Sequence, residues 1–207
     1  QRSRRSRPRD AVSPAARVAA VQPRTVIRVM AASAVIVEPW IDSVAAVLHV
    51  WYPGMEGGAA IANVISGAVN PSGRLPFAVP TDEAHLPAFD PDASSVVYDR
   101  WHGQWRLDRD GHRARYPFGF GLSYTSFSLA AERTNDRSVR VEVRNCGERD
   151  GAAVVFLFRE DGPLRRLIGF EKVPTRAGGS ATVTFASPVP GPLLVAFHAR
   201  DPDAVRV

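Results

Sequence analysis

Hydrophobic and polar positions follow one rhythm in the first third of the chain and another in the last. Thr25 to Met30 (TVIRVM) and Ala45 to Trp51 (AAVLHVW) are nearly continuous in apolar character, the pattern of parallel strands covered on both faces. Arg28 interrupts the first run. Its guanidinium on a central strand would be buried without a partner, so that run is expected at a sheet edge or in a degenerated segment. Ahead of it, Ser13 as N-cap and Pro14 at the first helical position open AARVAAVQ, a short helix stopped by Pro23. After the second run, Tyr52-Pro53-Gly54 reads as a turn. Glu56-Gly57-Gly58 then opens the alanine-rich stretch AAIANVIS, with Gly67 as a left-handed cap. Asn70-Pro71-Ser72-Gly73 fits a type I turn feeding an extended segment, Arg74 to Val79. Alternating strand and helix predict an α/β layer over residues 13–80, and 81–117 lacks sustained periodicity and reads as an irregular connection.

From about Thr125 the runs become short and β-rich: Ser126 to Ala131, Ser138 to Arg144, Ala152 to Arg159, Leu167 to Val173, Ala181 to Ala186 and Leu193 to His198, with a weak last run at Ala204 to Val207. Turn signals at Asn145, Gly147, Gly151, Asp161-Gly162-Pro163 and Gly178-Gly179 separate them, the spacing of an immunoglobulin or fibronectin type β-sandwich. The expected fold class is α/β followed by all-β, with a partial α/β sandwich domain over 13–80 and a fibronectin type III-like (immunoglobulin-like) β-sandwich over 118–207.

Composition changes this picture little. The chain has 207 residues and a formal charge of +5, which invites a nucleic-acid reading. Arg2, Arg4, Arg5, Arg7 and Arg9 lie within the first ten residues, however, so most of the excess sits in a segment, 1–12, that reads as a disordered basic arm. Lys172 is the only lysine, a preference for arginine that points to compositional bias rather than a phosphate-binding face. No nucleic-acid partner is expected. No run approaches the roughly 20 apolar residues of a bilayer span, so no membrane partner is expected either, and the compartment stays open. Cys146 is the only cysteine and reads as a small filler near a turn. His49, His85, His112 and His198 fall on different expected elements without metal-ligand spacing, so neither metal nor cofactor is expected.

Three strings carry a family resemblance, in order along the chain. They are WYPGMEGGAAIANVISGAVNPSGRLPFAVP (Trp51 to Pro80), YPFGFGLSYTSF (Tyr116 to Phe127), and VEVRNCGERDGAAVVFLF with LRRLIGFEKV. Together they resemble the C-terminal half of family 3 glycoside hydrolases, in which a (β/α)8 barrel is followed by an α/β sandwich and often a fibronectin type III-like domain. The resemblance implies a β-glucosidase-type parent that hydrolyses O-glycosyl bonds of a β-glucoside or oligosaccharide in two retaining steps, without a cofactor.

Such hydrolysis needs two carboxyl groups about 5–5.5 Å apart, a nucleophile and an acid/base with raised pKa. The family's nucleophilic Asp comes from the barrel, and its acid/base is often a Glu ahead of the helix that Ser13 to Gln22 matches. The corresponding stretch here, QRSRRSRPRD, contains no glutamate, so no catalytic residue is assigned. Members of the family also commonly carry an acidic-Gly pair and Gly-Tyr-Arg before the PFG motif, where this chain has Tyr98-Asp99-Arg100-Trp101-His102-Gly103-Gln104-Trp105-Arg106. Asp99 with His102, and Glu56, are the candidate replacements, and Glu56 reads first as a carboxylate favoured by a helix N-terminus. Trp40, Trp51, Tyr52 and Trp101 are candidates for stacking on a sugar, each reading first as packing. Gly119 and Gly121 around Phe120, with Phe118 and Tyr124 as anchors, are expected to clamp a domain junction. The chain is therefore expected to be inactive alone. The alternative is a non-catalytic accessory or interaction module of a split glycosidase, bound by a separate barrel polypeptide.

Overall fold

The computed structural model describes residues 13–135, 137–186 and 191–207, so the basic arm expected over 1–12 lies outside the described residues. The chain forms two compact units, one ending at Gly57 and one running from Gly58 to Val207.

In the first unit, helix α1 (Pro14–Val21) begins as the sequence predicts, with Ser13 Oγ accepting a hydrogen bond from the Ala16 amide at 3.2 Å. Strands β1 (Val26–Val29) and β2 (Ala46–His49) pair in parallel, from Val26 opposite Ala46 to Val29 opposite His49. The expectation of strands covered on both faces is not met. Side chains of β1 alternate between exposed and half-buried, with Val26 41% exposed, and Met30 just after the strand is 50% exposed. β1 pairs only with β2 among the described residues, so Arg28 lies on an edge strand and keeps its charge in water. Of the described hydrophobic residues up to Gly57, only Ala19 and Val37 are buried. Strand β2 ends at His49, two residues short of the expected limit, because Trp51 adopts a left-handed backbone (φ 54°) that no strand sustains.

Helix α2 (Gly57–Ile65) follows, and Gly67 (φ 78°) closes it with its amide donating to Val64 O at 3.0 Å. Asn70 to Gly73 does not form the expected type I turn. Asn70 is instead a tether: its Oδ1 accepts from Ser123 Oγ at 2.9 Å and the Tyr124 amide at 2.8 Å, while its Nδ2 donates to Asp150 O at 3.0 Å. A side chain so engaged no longer serves its own turn. Strand β3 is only Val79–Pro80 and pairs antiparallel with β4 (Ala114–Tyr116). The segment 81–117, expected to be irregular, holds β4 and the helix α3 (Gly103–Arg109). That helix has one buried apolar residue, Leu107, too few for a periodic signal.

The remaining strands are β5 (Phe127–Asn135), β6 (Ser138–Asn145), β7 (Gly151–Asp161), β8 (Leu164–Thr175), β9 (Ser180–Ala186), β10 (Leu193–Ala196) and β11 (Val205–Arg206). They build a three-stranded sheet, β5-β6-β9, and a four-stranded sheet, β11-β10-β7-β8, antiparallel throughout. One core joins them: Val139, Val141 and Val143 of β6 and Phe185 of β9 pack with Ala153, Val155 and Leu157 of β7 and Leu193 and Val195 of β10. Alternation on β6, buried at every second position, produces this face by the two-residue period of a strand. β7 is also buried on its other face, where Phe156 and Phe158 meet Leu194, Ala196 and Phe118.

Candidate functional site

Two places bring chemistry-bearing side chains together. The first is the corner after β2, at the carboxyl end of the parallel pair, where open α/β sheets commonly receive ligands. His49 Nε2 donates to Ala31 O at 3.0 Å, and its ring meets Trp51 edge-on with centroids 4.4 Å apart. Trp51 is the only non-glycine residue with positive φ among the described residues, and a left-handed tryptophan costs on the order of 1–3 kcal/mol. Beyond this residue Tyr52, 71% exposed, and Met55 face solvent, with Glu56 exposed just before α2. Trp40, half-buried before a short 3-10 turn (Ile41–Ser43), makes no side-chain cap bond to that turn.

The second place is a cleft of about 530 Å³ walled by α3, the turn after it, β4, Pro117 and Phe120, and the chain after β10. Gln104 ties two walls, with Oε1 accepting from the Phe118 amide at 3.1 Å and Nε2 donating to Asp108 Oδ1 at 2.8 Å. Asp108, whose side chain is 2% exposed, also accepts from Arg200 Nε at 2.9 Å and is ion-paired with that guanidinium, while its Oδ2 is buried with no partner among the described residues. His198 packs against Phe120, ring centroids 5.9 Å apart, and accepts from the Arg200 amide at Nδ1. Burial holds its pKa below the ordinary imidazole value, against a smaller opposing pull from Asp201. Among the described residues, Asp108 is the only carboxylate lining this cleft. A single carboxylate held by arginine offers neither a nucleophile with an opposed acid nor a free base.

The other candidates do not assemble. Asp99 and His102 meet through the backbone: the His102 ring donates from Nδ1 to the Asp99 carbonyl at 2.7 Å, while the Asp99 carboxylate accepts from the Trp101 amide at 2.8 Å. Trp101 carries two guanidinium groups over its ring, Arg100 at 4.6 Å and Arg109 at 4.9 Å. Cys146 is exposed, its thiol donating to Ser128 Oγ at 3.3 Å. His85 and His112, 27 positions apart, stack at 3.8 Å between ring centroids, a pairing that sequence spacing hid. No group of three or more His, Cys, Asp or Glu side chains suited to a metal ion occurs among the described residues, and no described helix is long and apolar enough to cross a membrane. The roles of Gln104, Asp108 and Arg200 were not legible in the sequence, because each depends on a partner brought in by another element.

The glycosyl hydrolase family 3 C-terminal domain matches residues 8–124. Beta-glucosidase B of Emericella nidulans is 37% identical over 200 residues, covering 82% of this chain and 24% of its own length. A xylan 1,4-beta-xylosidase of Xylanibacter ruminicola is 34% identical, covering 72% of this chain and 18% of its own. Among solved structures, the GH3 beta-glucosidase of Bifidobacterium adolescentis superposes with a TM-score of 0.80 at 28% identity, over 92% of this chain and 33% of that one. Beta-glucosidase 3B of Thermotoga neapolitana, solved with glucose, gives 0.76 at 27% identity, over 93% and 32%. The chain thus spans a quarter or less of the length of the curated relatives named above.

Proposed function

Because this chain belongs to glycoside hydrolase family 3, matched through the family's C-terminal domain, we propose that it serves a β-glucosidase-type enzyme as a non-catalytic portion and does not hydrolyse glycosides alone. The observation that carries the reading is the carboxylate inventory of its clefts. Among the described residues the 530 Å³ cleft has only arginine-held Asp108, and Asp99 and His102 are locked to the backbone around Trp101. Retaining hydrolysis needs two carboxyl groups in one site. The seven antiparallel strands form, in this reading, a fibronectin type III-like domain over 118–207, supported by two sheets sharing one alternating core. Residues 13–80 are the partial α/β sandwich. The β-glycosidic substrate, glucosyl or a related sugar, belongs to the parent enzyme, and the Tyr52 corner is this chain's surface toward it.

A second reading, an accessory module of a split glycosidase, is favoured by the exposed apolar side chains Val18, Val21, Val26 and Met30 of the first unit. One experiment addresses both. The purified chain is assayed with an aryl β-glucoside, alone and with a separately expressed family 3 barrel. No turnover alone is expected. Turnover alone that a single Asp or Glu substitution within 38–110 abolishes would sink the proposal, whereas activity regained only on mixing would favour the split enzyme.

A further inference from the structure

A second cleft, of about 650 Å³, shares Gln104 with the first and differs from it in chemistry. Its walls are largely apolar, with Trp105, Phe118 and Leu167 among them. They are held in place: the Trp105 indole donates to Arg165 O at 3.0 Å, and Phe118 packs edge-on against Phe156 and Phe158 at 5.5 and 6.5 Å between centroids. Arg100, His102, Arg165 and Arg166 also line it, and no Asp or Glu among the described residues does. The Arg166 guanidinium lies 5.8 Å from the centre of the Trp105 ring, and neither Arg100 nor Arg166 takes part in an ion pair among the described residues. Burial lowers the Arg165 pKa, and that side chain donates to Ala199 O at 2.5 Å.

An apolar slot with uncompensated guanidinium groups selects for an occupant that is both flat and anionic, since arginine pairs with a carboxylate through its planar fork. A neutral sugar fits poorly. Its several hydroxyl donors need acceptors, and the lining side chains offer few: Gln104 has both ends engaged by Asp108 and the Phe118 amide, and His102, whose Nδ1 donates to Asp99 O, offers only its Nε2. We propose that this cleft binds a planar aromatic carboxylate, with the ring against Trp105 and Leu167 and the carboxylate on Arg100 and Arg166.

Calorimetric titration of the full chain with naphthalene-2-carboxylate is the test. Saturable binding is expected, weakened at least about tenfold for the neutral naphthalene-2-carboxamide and about tenfold by Arg166→Gln, the size of one charge-assisted hydrogen bond at an exposed site. Leu167→Glu, which sets a like charge at a partly exposed wall position, is expected to abolish binding without moving the melting temperature by more than a few degrees. Absence of binding by the acid overturns the proposal. So do equal affinities for acid and amide, wild-type affinity retained by both variants, and tighter binding of a uronic-acid oligosaccharide than of the aryl acid.

Discussion

Gly119 faces Phe156 so closely that a β-carbon at Gly119 would lie 2.9 Å from Phe156 Cε2 and 3.1 Å from the His198 α-carbon. Its φ of 87° is also one that side-chain-bearing residues rarely adopt. Phe118 and Phe120, on either side, pack against Phe156 and His198. The segment is thereby pinned onto the outer face of β7, whose inner face holds the core shared by the two sheets.

Gly119 and Gly121 should both resist substitution, for different reasons. Gly121 has no positive φ, but its β-carbon would meet Gly73 O at 2.6 Å and Arg74 Cδ at 2.8 Å. Gly121→Val and Gly119→Ala are each expected to destabilise by about 1–3 kcal/mol through overpacking and strain. Gly58→Ala, in α2 with open space around it, should instead stabilise by about 0.5–1 kcal/mol. Thermal unfolding of the three variants decides. An unchanged melting temperature for Gly121→Val would refute the clamp, and a glucose titration that weakened instead would make the loop a sugar pocket.

How far the sequence carried depended on the range over which each residue acts. Ser13, Pro14 and Gly67 act on their own backbone, so the limits of α1 and the end of α2 were legible. The strands of the two sheets were legible too, because burial at every second residue leaves a two-residue period, as on β6. Helix α3, with one buried apolar side chain, left no such period. Asn70 read as a turn former, yet its amide is spent on Ser123, Tyr124 and Asp150, up to 80 positions away. The cleft around Asp108 was hidden for the same reason: its partner Arg200 lies 92 positions further on.

Asn145 is a fully buried side chain whose polar atoms are all in use. Its Oδ1 accepts from Thr125 Oγ1 at 2.6 Å and the Gly147 amide at 3.1 Å, and its Nδ2 donates to Arg149 O at 2.7 Å and Thr175 O at 3.3 Å. Asn145→Leu removes all four bonds and leaves the buried Thr175 carbonyl, and in part the half-buried Thr125 hydroxyl and Gly147 amide, without this partner, at about 1–3 kcal/mol for each group left unsatisfied. A loss of at least about 3 kcal/mol in urea unfolding is expected. Thr125→Val, which removes a single donor, should cost about 1 kcal/mol. Equal losses for the two would contradict the network.

Stability should fall on the acid side of neutrality through His198. Its folded pKa is depressed by burial, so the unfolded chain takes up the proton first. Stability from this group is complete above the unfolded value of 6.5 and declines as pH falls below it toward the folded value. His198→Gln should flatten the melting-temperature slope between about pH 7 and 5, where most carboxylates remain ionised. A mutant slope as steep as the wild type would remove His198 from this account.

Protection against hydrogen exchange should differ sharply along the chain. Val141 lies on β6, between β5 and β9, and Val155 lies on β7, between β8 and β10; both side chains are fully buried in the core shared by the two sheets. Opening either strand exposes that core, so their amides should exchange with free energies near that of global unfolding. Leu48 lies on β2, paired with one four-residue strand whose side chains are exposed or half-buried, in a unit whose only buried hydrophobic residues, among those described, are Ala19 and Val37. So little apolar area removed from water cannot hold that pairing against local fraying. Leu48 should therefore exchange through openings at least about 2 kcal/mol less costly than those at Val141. Equal protection at Leu48 and Val141 would mean that the parallel pair is covered in solution by more apolar surface than its own residues provide.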